Sequence, residues 1–283
     1  MLEPIPVLEP HRNAPPAPPP LDPSAVYDAY AEFYDSCAQG HRRDIDVYLA
    51  MAAGKQNCLE IGCGTGRVLE ALAGSGLAAL TGVDVSEQML ARARRRLRGD
   101  GYQHCAVKLL NHDVCATPLP DGENFDLAIV SWFTVNYIVD PARVCRLLTE
   151  VNRRLSESSS VAIEAFFPKP LLSEAYWSEE RSFTVDGYKV SRLDERCMRD
   201  GVFEYRKQTY KRCGAADTEI SSIRRYYSAA ELANFLTAAG FCDIELIYDL
   251  ADLDFKPYDP DGACPQVKFM IKGTKSRAGR GRL

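Results

Sequence analysis

The stretch CLEIGCGTGRVLEAL, Cys58–Leu72, runs from an apolar segment through glycines at 62, 64 and 66 straight into helical spacing. A strand that ends in glycines and opens a helix aims free backbone N–H groups outward from the carboxyl edge of a parallel sheet, where open α/β folds bind ligands. Without side chains at Gly62, Gly64 and Gly66, a ligand can approach the main chain closely. Glycine turns also serve plain strand-to-helix connections, so the surrounding segments decide.

Outward from the turn the pattern alternates. Apolar runs suited to buried parallel strands lie at 58–61, 79–83, 107–110, 127–130 and 161–165. Helical spacing fills 67–77 and 86–97, with Ser86 placed as an N-cap. Strand then helix, repeated, implies right-handed crossovers and a sheet covered on both faces. After Phe167 the rhythm changes to polar–apolar alternation around Asp186-Gly187 and Asp200-Gly201, two turn signals that predict antiparallel hairpins inserted into the core. Helical spacing returns in YSAAELANFLTAAGF, with Ser228 as N-cap and Gly240 as stop, and strands at 243–247 and 267–271 complete the sheet.

The ends and the composition set the limits. Residues 1–23 are too proline-rich for a packed element and read as an extended leader, and the glycine-spaced cations of 275–283 read as a flexible basic tail. A chain of 283 residues with 46% hydrophobic content can bury a full core, and its formal charge of -5 leaves no overall basic field for a nucleic-acid partner. Ten scattered cysteines show no C-x-x-C spacing, so they read as reduced thiols packing like small apolar groups, and no metal site is expected. No segment reaches the roughly 18 to 20 apolar residues of a membrane span, and no cationic-then-apolar leader opens the chain. A cytoplasmic protein with no membrane partner follows, as monomer or homodimer.

The next strand sharpens the turn's meaning. ALTGVDVS places Asp84 at the end of an apolar run, where a carboxylate can accept from both hydroxyls of a ribose; a surface or N-capping aspartate is the alternative. A dinucleotide fingerprint needs G-x-G-x-x-G/A, but here the third slot holds Arg67 and the third glycine comes one place early at Gly66. Glu60 adds a carboxylate beside the turn, which opposes a pyrophosphate and suits a cation. A nucleoside that carries positive charge and no phosphate fits, and S-adenosylmethionine is such a cofactor.

LEIGCGTGRVLEAL followed by GVDVSEQMLARAR, LNHDV and FDLAIVSWF resembles the class I S-adenosylmethionine-dependent methyltransferases. That resemblance implies a Rossmann-like, seven-stranded, mostly parallel sheet with helices on both faces, carrying an inserted antiparallel hairpin subdomain. It also implies that Glu60, Gly62 and Gly64 border the methionine part of the cofactor, with Gly66 a further cofactor-binding position in the same turn, that Asp84 holds the ribose, and that Asp113 and Val114 sit against the adenine. Met89 would pack on the adenine or in the core, and His112, next to Asp113, reads as structural. The domain division is then 24–54 as lid helices, 55–167 as the cofactor-binding core, 168–225 as a substrate cap or dimerisation region, and 226–274 as the rest of the core.

The segment YDAYAEFYDSCAQGHRRDIDVYL resembles the N-terminal helix that closes over the cofactor in small-molecule members. Tyr27, Tyr30 and Tyr34 share a helix face by spacing, which fits pocket lining and core packing alike. Tyr30 and Arg43 are candidates for cofactor contact, and Tyr34, Asn136 and Tyr137 for orienting an acceptor. Trp132 and Phe133 would wall the acceptor pocket, and Glu164 and Tyr226 join them as acceptor contacts. The layout of IEAFFPKP, the hairpins and RRYYSAAEL resembles amine N-methyltransferases of sugars and small amino acids, and the Asn/Asp-Pro-Pro-aromatic tetrapeptide of nucleobase methyltransferases is missing. With no positioned base in view, an amine nitrogen is favoured, in small-molecule or natural-product metabolism. An S- or O-methyltransferase and a silent binder of the cofactor stay open.

Overall fold

The computed structural model describes residues 22–37, 43–99, 102, 104–122, 124–167, 176–248, 256–257 and 268–276; the leader through residue 21 and the tail beyond residue 276 lie outside these. Helices α1 (Pro23–Cys37) and α2 (Arg43–Ala52) precede the alternating core: β1 (Asn57–Ile61), α3 (Arg67–Ala73), β2 (Ala79–Asp84), α4 (Glu87–Arg96) and β3 (Ala106–Asn111). It continues with β4 (Phe125–Val130), α5 (Thr134–Tyr137), α6 (Pro141–Arg154) and β5 (Leu155–Phe166). Strands β6 (Tyr176–Val185), β7 (Tyr188–Arg199), β8 (Phe203–Arg212) and β9 (Thr218–Arg225) come next. Then α7 (Ala229–Ala238), β10 (Phe241–Ile247), the two-residue β11 (Lys256–Pro257) and β12 (Lys268–Lys275) return to the core.

The main sheet has the order β11-β10-β12-β5-β4-β1-β2-β3. Strands β1 to β5 pair in parallel, and β12 runs antiparallel to both β5 and β10. Seven long strands, mostly parallel, are thus present, with β11 a short extension of one edge. The last strand runs on through Lys275, whose ammonium donates to the carbonyl of Leu155. The period of two sorts the core: Leu59 and Ile61 of β1 pack with Leu147, Leu148, Leu232 and Leu236 from α6 and α7. Cys58 points the other way, to Val47, Leu69, Leu72 and Leu90 from α2, α3 and α4. Each fully buried leucine there contributes on the order of 1.5–3 kcal/mol. Among the described residues no helix is long and apolar enough to cross a membrane.

Helix ends follow the local chemistry. Ser86 accepts from the N–H of Met89 at 3.1 Å, Asp140 caps α6 ahead of Pro141, and Ser228 with Glu231 forms a reciprocal capping box on α7. Helix α3 stops at Ala73, short of the expected 67–77, because Gly74 caps it and Gly76 turns away with φ +92°.

Strands β6 to β9 form a separate antiparallel sheet, in that order. Val185 pairs with Tyr188 across a two-residue loop in which Asp186 and Gly187 both have positive φ, the conformation of a type I′ hairpin turn. At the β7–β8 reversal Asp200 and Gly201 again have positive φ, within a three-residue loop between the paired Arg199 and Phe203, and β9 adds a fourth strand to the expected hairpins. Helix α1 bridges the two sheets. On one side Asp28 accepts from the hydroxyl of Ser86 at 2.5 Å and the N–H of Gln88 at 3.1 Å. On the other, Phe33 stacks on Tyr210 with ring centroids 4.0 Å apart, and Arg212 pairs with Glu32.

Candidate active site

At the carboxyl edge of β1 the turn is drawn tight over β2. The N–H groups of Gly62 and Cys63 both donate to the carbonyl of Val83, at 2.8 and 3.1 Å. Gly62 has φ +70°, and a Cβ there would lie 2.3 Å from Thr134 Oγ1, so the position admits no side chain. Gly64, at φ +53°, presents a bare face on which an added Cβ would lie 4.0 Å from the Tyr34 ring. Gly66 caps α3 against Ala93, to the side of the cavity that the other two glycines line.

That cavity, about 870 Å³, lies between the turn, α1 and the inserted sheet. Pockets of roughly 300–1,000 Å³ hold whole small ligands, and this one lies near the upper end of that range. Gly62, Gly64, Asp84, Met89, Asp113 and Val114 line it together with Tyr30, Tyr34, Trp132, Phe133 and Tyr137. Asp84 accepts from the N–H of Gly64 at 2.8 Å and of Ser86 at 2.9 Å, which fixes both carboxylate oxygens at the cavity wall. Burial pushes its carboxyl up, and those N–H donors hold it back. Asp113 accepts from the N–H of Cys115 at 2.9 Å and from Arg143 at 2.6 Å, an ion pair half open to solvent. His112 also lines the wall and engages the carbonyl of Thr117 at 3.1 Å.

Glu60 lies beneath the turn rather than on the cavity surface. It is 1% exposed and accepts from the Ser131 hydroxyl at 2.6 Å, while its Oε2 has no hydrogen-bond partner among the described residues. Burial raises its pKa to about 8, against the lowering influence of Ser131 and the Arg67 guanidinium. Arg67 is itself held by Asp44 and lies 4.5 Å over the Trp132 ring.

The segment after β4 carries strain. Trp132 and Phe133 adopt φ +47° and +61°, left-handed conformations that cost bulky residues on the order of 1–3 kcal/mol each. Glu164 supplies the counterweight: wholly buried, it accepts from the N–H of Trp132 at 3.0 Å and the Tyr48 hydroxyl at 2.8 Å, and pairs with Lys268. It supports the wall instead of facing an acceptor. Asn136 is likewise withdrawn from the cavity. Its amide donates to the carbonyls of Phe166 and Arg225 and accepts from the N–H of Phe166, pinning α5 to the ends of β5 and β9. Tyr226 is 1% exposed and its hydroxyl donates to Glu204 at 2.7 Å. Arg43 opens α2, but its side chain lies outside the described atoms.

Tyr137 does reach the cavity, with Arg224 donating to its hydroxyl and lying 4.7 Å over its ring, and Tyr27 edge-on at 5.3 Å. Burial raises the phenols of Tyr27, Tyr30 and Tyr34, making them donors that do not ionise near neutrality. Sequence reasoning missed Arg192, Arg196, Arg206 and Arg224, which line the same cavity from the inserted sheet. Their signal was present as alternation, Arg192, Asp194 and Arg196 at every second position of β7, but which face they share emerges only from strand register.

A family model described as "Methyltransferase domain" matches residues 58–158, from β1 into β5. A demethylmenaquinone methyltransferase from Clavibacter sepedonicus is 30% identical over 200 residues, covering 70% of this chain and 69% of that protein. Among solved structures, the CcbJ methyltransferase from Streptomyces caelestis superposes with TM-score 0.70 at 18% identity, over 91% of this chain and 100% of that one. The sugar N-methyltransferase KedS8 from Streptoalloteichus sp. ATCC 53650 does so with TM-score 0.66 at 20% identity, over 88% and 93%.

Proposed function

We propose that this chain, which belongs to the class I S-adenosylmethionine-dependent methyltransferases, methylates an amine nitrogen of a small molecule. Its cofactor is S-adenosylmethionine and its acceptor is a small molecule. The finer assignment, nitrogen, rests on one observation: among the described residues, no carboxylate or imidazole from the inserted sheet or from after β4 lines the cavity. The carboxylates on the wall are Asp22, Asp84 and Asp113 and its imidazole is His112, none of them on the inserted sheet or after β4. An alcohol needs a positioned base to give up its proton, whereas an unprotonated amine attacks directly.

The residues present fit the cofactor. A buried, unpartnered carboxylate oxygen on Glu60 suits an ammonium, the bare face of Gly64 admits a ligand against the main chain, and Asp84 keeps acceptor lone pairs for ribose hydroxyls. When bound, the cofactor supplies a methyl group already activated on a sulfonium. In this reading Asp113, shared with Arg143, and Val114 flank the adenine, Met89 packs beside it, and Tyr30 closes from α1. Tyr34 and Tyr137 orient the acceptor as hydrogen-bond donors; Trp132 and Phe133 exclude water. Alignment of this kind accounts for roughly 7–11 kcal/mol of barrier in well-oriented systems. We keep 24–54 as the lid and 168–225 as the cap of the acceptor region in the same proposal. The name of KedS8, a sugar N-methyltransferase, agrees with the nitrogen reading.

The test is a transfer assay with methyl-labelled cofactor against matched amine, thioether and phenol acceptors. Label on the amines alone supports the proposal. Label on phenols or thioethers in preference, or cofactor binding with no transfer to any, contradicts it.

A further inference from the structure

The inner face of the inserted sheet is cationic. Arg192, Arg196, Arg206 and Arg224 line the cavity, and two carboxylates, Asp194 and Glu204, stand among them. Arg196 lies directly opposite Arg206 in the β7–β8 register, a like-charge juxtaposition that is unfavourable by itself. Asp194 reconciles the pair: wholly buried, it takes Arg206 Nε at 2.7 Å and Arg196 Nη2 at 3.0 Å, with Arg192 farther off at 3.7 Å. Glu204 is shared between Arg224 at 3.5 Å and the Tyr226 hydroxyl at 2.7 Å. The carboxylates hold the guanidiniums in place and leave the face positive.

Hydrogen bonding on that face is also incomplete. Arg192 Nε, Gln208 Nε2, the Tyr210 hydroxyl and Arg224 Nε are buried without a hydrogen-bond partner among the described residues. Asp194, Gln208 and Ile220 form one cross-strand row, and Arg192 and Tyr210 the next, so these groups share a single surface. Arg192 is only 8% exposed and Arg206 9%. A chain with net charge -5 concentrates guanidiniums here, in a partly desolvated pocket where forked N–H donors bind oxyanions best.

We infer that the acceptor carries an oxyanion, a carboxylate or a phosphate, remote from its methylated atom, and that Arg192 and Arg196 bind it from the inserted sheet. This deepens the methyl-transfer reading and rests on it for the word acceptor. The arginine face makes the inserted sheet a specificity element: the core presents the donor, and the sheet selects acceptors by charge.

Calorimetry on the full chain saturated with S-adenosylhomocysteine tests this, with inorganic pyrophosphate and succinate as probes. Saturable binding of at least one is expected, and preference between them distinguishes phosphate from carboxylate. Arg192→Gln and Arg196→Gln should each weaken it at least about tenfold, since a charge-assisted hydrogen bond is at stake. Lys207→Gln, which removes a cation from the opposite face of β8, should leave it unchanged, and all three variants should keep their affinity for S-adenosylhomocysteine, which reports an intact fold. No saturable binding of either probe, or binding indifferent to both arginine substitutions, overturns the inference. Methyl transfer is not read in this experiment, so failure of the nitrogen assignment would leave the oxyanion site standing.

Discussion

In the proposed cofactor site, Glu60 makes cofactor affinity depend on pH. Its carboxyl is buried with one oxygen on Ser131 and the other unpartnered, and its pKa is raised to about 8. At pH 6 it is neutral in nearly every free molecule, yet the cofactor ammonium of the proposed site would favour the carboxylate. Binding therefore drives the proton off, and affinity rises with pH until the group is ionised beforehand. Between pH 6 and 7.5 the ionised fraction of a carboxyl with a pKa of about 8 rises from about 1% to about a quarter, which makes binding about twenty-five-fold tighter at the upper end, ~2 kcal/mol. The ligand's own α-amino group, with an ordinary pKa of roughly 8, offsets only a small part of this trend near the top of the window. Calorimetry with S-adenosylhomocysteine in buffers of differing ionisation enthalpy would count the proton directly. Glu60→Gln should bind more weakly at pH 7.5 and lose the slope. A flat wild-type profile, or an equal slope in the variant, would refute the reasoning. The same raised pKa has a stability consequence: ionisation is disfavoured in the folded state, so stability falls as pH climbs from the unfolded value near 4.3 toward 8, and Glu60→Gln should remove that decline.

Asp84→Ala should weaken S-adenosylhomocysteine binding by more than about tenfold in calorimetry, because ribose hydroxyls and the Gly64 N–H lose one acceptor together. Gly62→Ala should destabilise the fold by at least about 1–3 kcal/mol in denaturant titration, since its Cβ would meet Thr134 at a positive φ. Tyr34→Phe should lower kcat more than it raises KM for the amine, and unaltered turnover would return Tyr34 to packing. Burial would raise the Asp194 carboxyl, but Arg206 and Arg196 hold it well below the usual carboxylate range. Its stabilisation is therefore present above pH ~4 and lost as pH falls further, and Asp194→Asn should flatten acid unfolding while lowering stability at neutral pH by about 3–5 kcal/mol.

The alternating core was legible because its determinants are local. Glycines at 62, 64 and 66 mark a backbone that needs positive φ, and Asp186-Gly187 and Asp200-Gly201 demand the turns they form. Ser86 and Ser228 cap the helices that follow them. What stayed hidden is set by contacts distant in sequence. Nothing near Asn136 announces that its amide spans Phe166 and Arg225, and nothing near Glu164 that it restrains Trp132. A polar residue near the reacting edge reads as functional until its hydrogen bonds are counted. The arginine face is the converse: each cation reads as a solvated surface residue, and only the β7–β8–β9 register gathers them on one wall.

The most direct test of the whole account is a crystal structure with S-adenosylhomocysteine bound. The account predicts ribose hydroxyls within hydrogen-bond distance of Asp84, adenine between Met89 and Val114, and the sulfur open toward Tyr34, Tyr137 and the arginine face. A nucleoside seated elsewhere, or a sulfur turned away from the inserted sheet, would contradict it.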